Sequence, residues 1–180
     1  MKTMLRFLVD RVATPIGDML IVADSEGNLR ATFWTEEEED LRRVLARHYG
    51  GAEIELEAAR NPHGLTAAIA KYFAGNLHAI DELPVATAGT PFQRDVWRAL
   101  RAIPCGTTIS YGELAKRIGR PAAVRAVGLA NGSNPIGVVV PCHRVIGANG
   151  SLTGYGGGME RKRWLLDHER QLRVREAAQE

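Results

Sequence analysis

A thiol followed at once by an imidazole, Cys142-His143, closes the apolar run Val138-Val139-Val140-Pro141. A free thiol is only a few per cent thiolate at neutral pH, so a nucleophilic cysteine needs a base or a positive neighbour. The adjacent His143 can be that base. Further on, the segment MERKRWLLDHE places Glu169 four and three residues after Leu165 and Leu166, which on a helix turns its carboxylate to the inward face. A buried carboxylate requires a partner. Orienting and charging His143 would make it the third member of a nucleophile, base and orienter set. The plainer alternatives are a core cysteine beside a surface histidine, and a glutamate that caps or pairs near a helix end. Cys105, which precedes Gly106 with no histidine or carboxylate nearby in sequence, reads as structural.

These groups need elements to hold them. Val138–Val140 predicts a short strand covered on both faces, and Pro141 ends it, so that Cys142 and His143 sit on a turn at the strand end. The run Gly154-Tyr155-Gly156-Gly157-Gly158 lacks the spacing of a nucleotide-triphosphate loop. It predicts a loop that closes over a substrate and donates backbone N–H groups. Thr90-Pro91-Phe92-Gln93 supplies an N-cap, a first-turn proline and a capping-box glutamine. The helix they open turns Phe92, Val96 and Leu100 inward and ends before Pro104. Ser110 and Glu113 form a second capping box ahead of a short helix reaching Ile118, Gly119-Arg120 breaks it, and Pro121 starts another helix to about Asn131. That is a helix-turn-helix signature, which an ordinary helical hairpin also fits.

The face of the second helix separates the two. With Val124, Val127 and Gly128 toward the core, the other side carries Ala122, Arg125, Ala126 and Leu129. A helix that reads bases in the major groove displays several donors and acceptors. A single arginine among small apolar groups suits close approach to the minor groove instead, with one long side chain pushed into the base stack. That points to an enzyme acting on a base.

The rest of the chain frames this half. LRFLVDRVA, MLIVAD and LRATFW predict a three-stranded meander, followed by a helix to His48 or Tyr49, the alternating strand AEIELEA and a second helix to Phe73. None of it asks for chemistry. An aperiodic stretch near Leu83–Gly89 reads as a linker, giving domains at 1–86 and 87–180. The first carries nine basic against 14 acidic side chains, net −5, and the second 14 against seven, net +7, a balance that a polyanionic partner or a solvated surface explains. No apolar run approaches a membrane span and no signal peptide is evident, so a cytoplasmic protein is expected. Two cysteines in 180 residues are too few for a disulfide framework or a thiol-rich zinc site. No metal or cofactor is expected.

Taken together, TPFQRDVW, ISYGELA, RAVGLANGSNP, PCHRVIG and TGYGGG followed by RKRWLLDHE resemble the O6-alkylguanine-DNA alkyltransferases. These are repair proteins that move an alkyl group from guanine O6 to their own cysteine, once per molecule. The resemblance implies an α+β fold, with a ribonuclease H-like N-terminal domain built on a small antiparallel sheet and a mainly helical C-terminal domain with a winged-helix-like helix-turn-helix. It implies Cys142 as acceptor, His143 as its base through a water, and Glu169 polarising His143. Asn134 would bridge the helix-turn-helix to the site by hydrogen bonds, and Tyr111 would help rotate the nucleotide and protonate the departing guanine at N3. Arg125 would fill the stack after the nucleotide flips, on a DNA-binding face with Ala122, Ala123, Ala126 and Gly128. Val145 through its carbonyl, Tyr155 and the Gly156 amide would line the pocket, shaped by Pro135 and Pro141. Gly156 departs from the Ser or Ala of many relatives, so a hydroxyl contact to guanine O6 is lost there. The partner implied is double-stranded DNA carrying O6-alkylguanine, with O4-alkylthymine as a further substrate and the free protein monomeric; cooperative binding on DNA is left open. Without a cysteine-rich zinc domain, a role in sensing phosphate methylation is not expected. The rival functions are a cysteine hydrolase using Cys142, His143 and Glu169, and a non-catalytic DNA-binding regulator.

Overall fold

Strand β2 (Gly17–Ala23) is buried without interruption from Met19 to Ala23, as a continuous apolar run must be when both faces of its sheet are covered. It lies between β1 (Met4–Thr14) and β3 (Leu29–Trp34), antiparallel to both. Residues 3–179 are described in this computed structural model, with the side chains of 37, 38, 172, 173, 176 and 177 excepted. Helix α1 (Glu38–His48) follows β3, and the next strand, β4 (Glu53–Ala58), joins the free edge of β1 in parallel, with Leu5 opposite Ile54 and Phe7 opposite Leu56. The sheet order is therefore β3-β2-β1-β4, and the sheet is mixed where a wholly antiparallel one was expected. The α1 crossover between β3 and β4 lets the chain return in the direction of β1.

One face of the sheet packs Phe7, Leu20, Val22, Ala31 and Phe33 against Leu41 and Leu45 of α1. Helix α2 (Leu65–Phe73), with Leu65, Ile69 and Tyr72 buried, packs along β1. The turn into β3 is held by Asp24, whose carboxylate accepts from the Glu26 and Asn28 amides and from Arg30 Nε at 2.7 Å.

The chain divides into two compact units, Met1–Gly89 and Thr90–Glu180. The second opens with α3 (Pro91–Arg101), where the Thr90–Gln93 capping box is complete and Val96, Trp97 and Leu100 are buried. Trp97 Nε1 donates to the Ala130 carbonyl at 2.8 Å, tying α3 to α5 (Val124–Gly132). A two-residue strand, β5 (Ile109–Ser110), pairs in parallel with β6 (Val145–Ile146). That short ladder brings the start of α4 (Tyr111–Arg117) beside the segment that follows Cys142.

Helix α4 is capped by the Ser110 hydroxyl, which accepts from the Glu113 amide. It ends in a Schellman motif: the Arg120 and Gly119 amides donate to Ala115 and Lys116 carbonyls, with Gly119 at φ +74. Helix α5 then begins at Val124, three residues later than expected. Pro121 and Ala122 instead form a turn that the Ala123 amide closes on the Arg120 carbonyl. The last helix, α6 (Met159–Gln179), carries Glu169. No helix among the described residues is long and apolar enough to cross a membrane.

Candidate active site

Val138, Val139 and Val140 are all buried, but they form a turn and not the expected strand. Their backbone is satisfied locally: the Val139 amide donates to Gly137, the Val140 amide to Ile136 and the Cys142 amide to Val140. Val138 has φ +73, a conformation that costs a β-branched residue about 1–3 kcal/mol and persists only where its surroundings demand it. Asn134 supplies part of that demand. Its Nδ2 donates to the Val140 carbonyl at 2.8 Å, its Oδ1 accepts from the Ile136 amide at 3.0 Å, and its side chain also hydrogen-bonds the Cys142 thiol. Pro135, buried beside it, and Pro141 flank this turn.

Cys142, His143 and Arg144 form one turn of 3-10 helix, all three buried. His143 is wholly buried, and its Nε2 lies 2.8 Å from Glu169 Oε2. A carboxylate there accepts the Nε2 hydrogen, which leaves Nδ1 as the bare, basic nitrogen. Nδ1 is buried without a hydrogen-bond partner. Glu169 also accepts from Arg144 Nε at 2.8 Å and Nη2 at 3.0 Å, while Arg144 Nη1 donates to the Ile103 carbonyl. Burial alone would raise the Glu169 pKa, but its interactions with His143 and the hydrogen bonds and charge of Arg144 hold it well below the usual carboxylate range. The carboxylate stays ionised.

Burial pushes the Cys142 thiol up, opposed by the Asn134 hydrogen bond and the charge of Lys162. Lys162 has no exposed surface; its Nζ donates to the Val145 carbonyl at 2.7 Å and the Thr153 carbonyl at 2.9 Å. Burial lowers its own pKa and the neighbouring thiol raises it again. Lys162 and Arg144 were missed in the sequence. Lys162 had a usable signal, since it precedes Leu165 by three residues and Glu169 by seven, on the same inward stripe of α6. Asn131, buried and donating to the Cys142 carbonyl at 3.4 Å, had none.

An open pocket of about 470 Å³ is walled by Val124, Gly128 and Gly132 of α5 on one side and by Tyr111 and residues 153–156 on the other. Val124 and Gly128 therefore do not face the core as expected. Val124 is 40% exposed, and the buried stripe of α5 is Val127, Ala130 and Asn131. The pocket gathers Tyr111, Gly128, Tyr155 and Gly156, while Val145 lies buried on β6 with its carbonyl accepting from Lys162 Nζ. Arg125, Ala126 and Leu129 stand on the solvent face of α5, with Ala122 on the preceding turn and Ala123 at the N-cap. A Cβ at Gly156 would meet nothing within 4 Å.

Comparison with known proteins identifies the family. Residues 91–171 match the family described as 6-O-methylguanine DNA methyltransferase, DNA binding domain. The methylated-DNA--protein-cysteine methyltransferase of Shigella flexneri is 55% identical over 166 residues, 92% of this chain and 97% of that one. The crystal structure of Mycobacterium tuberculosis O6-methylguanine methyltransferase superposes with a TM-score of 0.75 at 39% identity, covering 92% of this chain and 93% of that one. The Mycobacterium tuberculosis OGT in complex with DNA gives 0.73 at 40% identity, covering 93% and 94%. With that similarity along nearly its whole length, and a buried thiol, imidazole and carboxylate set beside a helix-turn-helix, the chain belongs to the methylated-DNA–protein-cysteine methyltransferase family.

Proposed function

We propose that the protein repairs alkylated DNA directly, moving the alkyl group of O6-alkylguanine, and of O4-alkylthymine, onto Cys142 in a single irreversible turnover. The observation that carries this reading is the buried relay in which Glu169 holds His143 Nε2 and leaves Nδ1 bare beside the thiol residue. His143 takes the thiol proton through a water, and the Lys162 charge favours the thiolate. The thiolate attacks the alkyl carbon in line with its bond to O6. The carbon–sulfur bond forms as the carbon–oxygen bond breaks, and Tyr111 protonates N3 so that guanine leaves neutral. The product thioether cannot be undone by thiol exchange.

The exposed face of α5 supports DNA as partner, bound by a monomer from the minor groove. Ala122, Ala123, Ala126 and Gly128 permit close approach, and Arg125 occupies the gap when the nucleotide flips into the pocket. That the Mycobacterium tuberculosis OGT, similar along the chain, has been crystallised with DNA supports the same partner. A reducing cytoplasm suits a thiol that must stay free.

Intact mass after mixing with duplex DNA containing O6-methylguanine tests this. One methyl mass per chain is expected, mapped to Cys142 and absent from Cys105. Turnover beyond one lesion per chain, as a hydrolase would show, or modification at Cys105, would overturn it.

A further inference from the structure

Tyr111 is the first residue of α4, and its phenol oxygen lies 2.8 Å from Thr153 Oγ1. Thr153 is itself fixed from behind, because its carbonyl accepts from the buried Lys162 Nζ at 2.9 Å. On the other side, the Tyr111 ring lies alongside α5 at Gly128, where a Cβ would make ordinary contact with ring carbon Cδ1 at 3.8 Å. Tyr111, Gly128 and Thr153 all line the pocket. The phenol is thus held at its oxygen by a hydroxyl that is itself anchored, with its ring alongside a position that has no side chain.

A phenol and a threonine hydroxyl each carry one hydrogen and can each accept, so the direction of their bond decides where the phenol's hydrogen points. We propose that Thr153 is a positioning residue that donates its hydroxyl hydrogen to the Tyr111 oxygen, leaving the phenol's own hydrogen turned into the pocket. The inference rests on Tyr111 being the proton donor proposed above. In the reaction, the Tyr111 hydrogen passes to guanine N3 as the alkyl carbon leaves O6 for the Cys142 sulfur. The phenolate that remains keeps the Thr153 hydrogen bond and regains a proton from water. A hydrogen bond to a charged oxygen is roughly twice as strong as one between neutral groups. The Thr153 contact therefore strengthens as the proton leaves, and an interaction stronger in the transition state than in the ground state accelerates the step.

The test is single-turnover transfer from duplex O6-methylguanine and from free O6-benzylguanine, together with titration of undamaged duplex. Thr153→Val keeps the branching and volume but removes the hydroxyl, and should slow transfer roughly tenfold on both substrates, a loss in keeping with a charge-assisted hydrogen bond. DNA affinity should stay within about twofold, as expected of an interaction that touches no DNA and strengthens only as the proton leaves. Thr153→Ser should recover most of the rate. In a Tyr111→Phe background, Thr153→Val should add nothing, because the oxygen it serves is gone. If Tyr111→Phe alone transfers at the wild-type rate, Tyr111 is not the acid and the proposal falls with that assignment. If Tyr111→Phe is slow but Thr153→Val matches wild type, slows only the duplex reaction, or adds its full effect to Tyr111→Phe, the acid stands and the Thr153 proposal alone is overturned.

Discussion

Glu169→Gln changes one oxygen to an NH₂ group in a site 1% exposed, and its consequences for stability and for transfer can be worked out separately. Three donors converge on the carboxylate: His143 Nε2 at 2.8 Å, and Arg144 Nε and Nη2 at 2.8 and 3.0 Å. A glutamine keeps one acceptor, points two hydrogens at donors, and leaves the Arg144 guanidinium buried without a counter-charge. Breaking a buried pair in this way costs about 3–5 kcal/mol. For a chain of this size about 2–4 °C of Tm accompanies each kcal/mol, so a fall of about 6–20 °C is expected. The pH dependence has a definite sign. The folded-state pKa of Glu169 is depressed from an ordinary value of 4.5, so its contribution is fully present above that value and is lost as pH falls toward the lower, folded-state pKa. Scanning calorimetry from pH 3 to 8 should show a constant gap between wild type and variant above about pH 5, narrowing in acid. At a temperature where both are folded, transfer should slow by up to roughly 10⁴-fold, as when the carboxylate that sets a catalytic imidazole's tautomer becomes an amide, with little change in DNA affinity. Equal Tm values, a gap that widens in acid, or wild-type transfer rates across pH 6 to 9 would refute the assignment.

Arg125→Ala should weaken repair of duplex DNA while affecting free O6-benzylguanine far less, since a free base avoids the few kcal/mol that flipping costs. Placing the lesion opposite an abasic site should partly rescue it; equal defects on both substrates would make Arg125 a pocket or phosphate contact. Lys162→Met removes a charge that opposes the burial-driven rise of the Cys142 pKa, so the thiol should titrate higher still. Transfer at pH 7 should fall and recover as pH rises, and a pH–rate profile unchanged from wild type would show that Lys162 acts only as a brace.

Much of the site was legible because its signals are local. The Thr90 capping box, the Ser110 cap and the inward placement of Glu169 follow from helix chemistry at fixed spacings, and the family resemblance was correct. The failures share a cause. Val138–Val140 looks like a strand because burial and apolar character are common to both states, whereas the observed turn depends on Asn134, a side chain whose partners lie on either side of the turn. Pro121 predicts a start for α5 there because proline suits a first helical turn, but the Schellman ending of α4 commits the next residues to a turn. Lys162 was hidden in MERKRWLLDHE, where a lysine among arginines reads as solvent-facing; only the carbonyls of Val145 and Thr153, distant in sequence, make its burial tolerable.

That α6 carries both Lys162 and Glu169 changes how the end of this chain should open. Terminal helices ordinarily fray at almost no cost. Here, lifting residues 159–169 away would leave Arg144 and His143 without their acceptor and the Val145 and Thr153 carbonyls without their donor, all in one event. The first half of α6 should therefore belong to the slowest-exchanging cooperative unit of its domain, with amide protection close to that of α3, so that no opening of this helix short of unfolding the domain exposes the thiol.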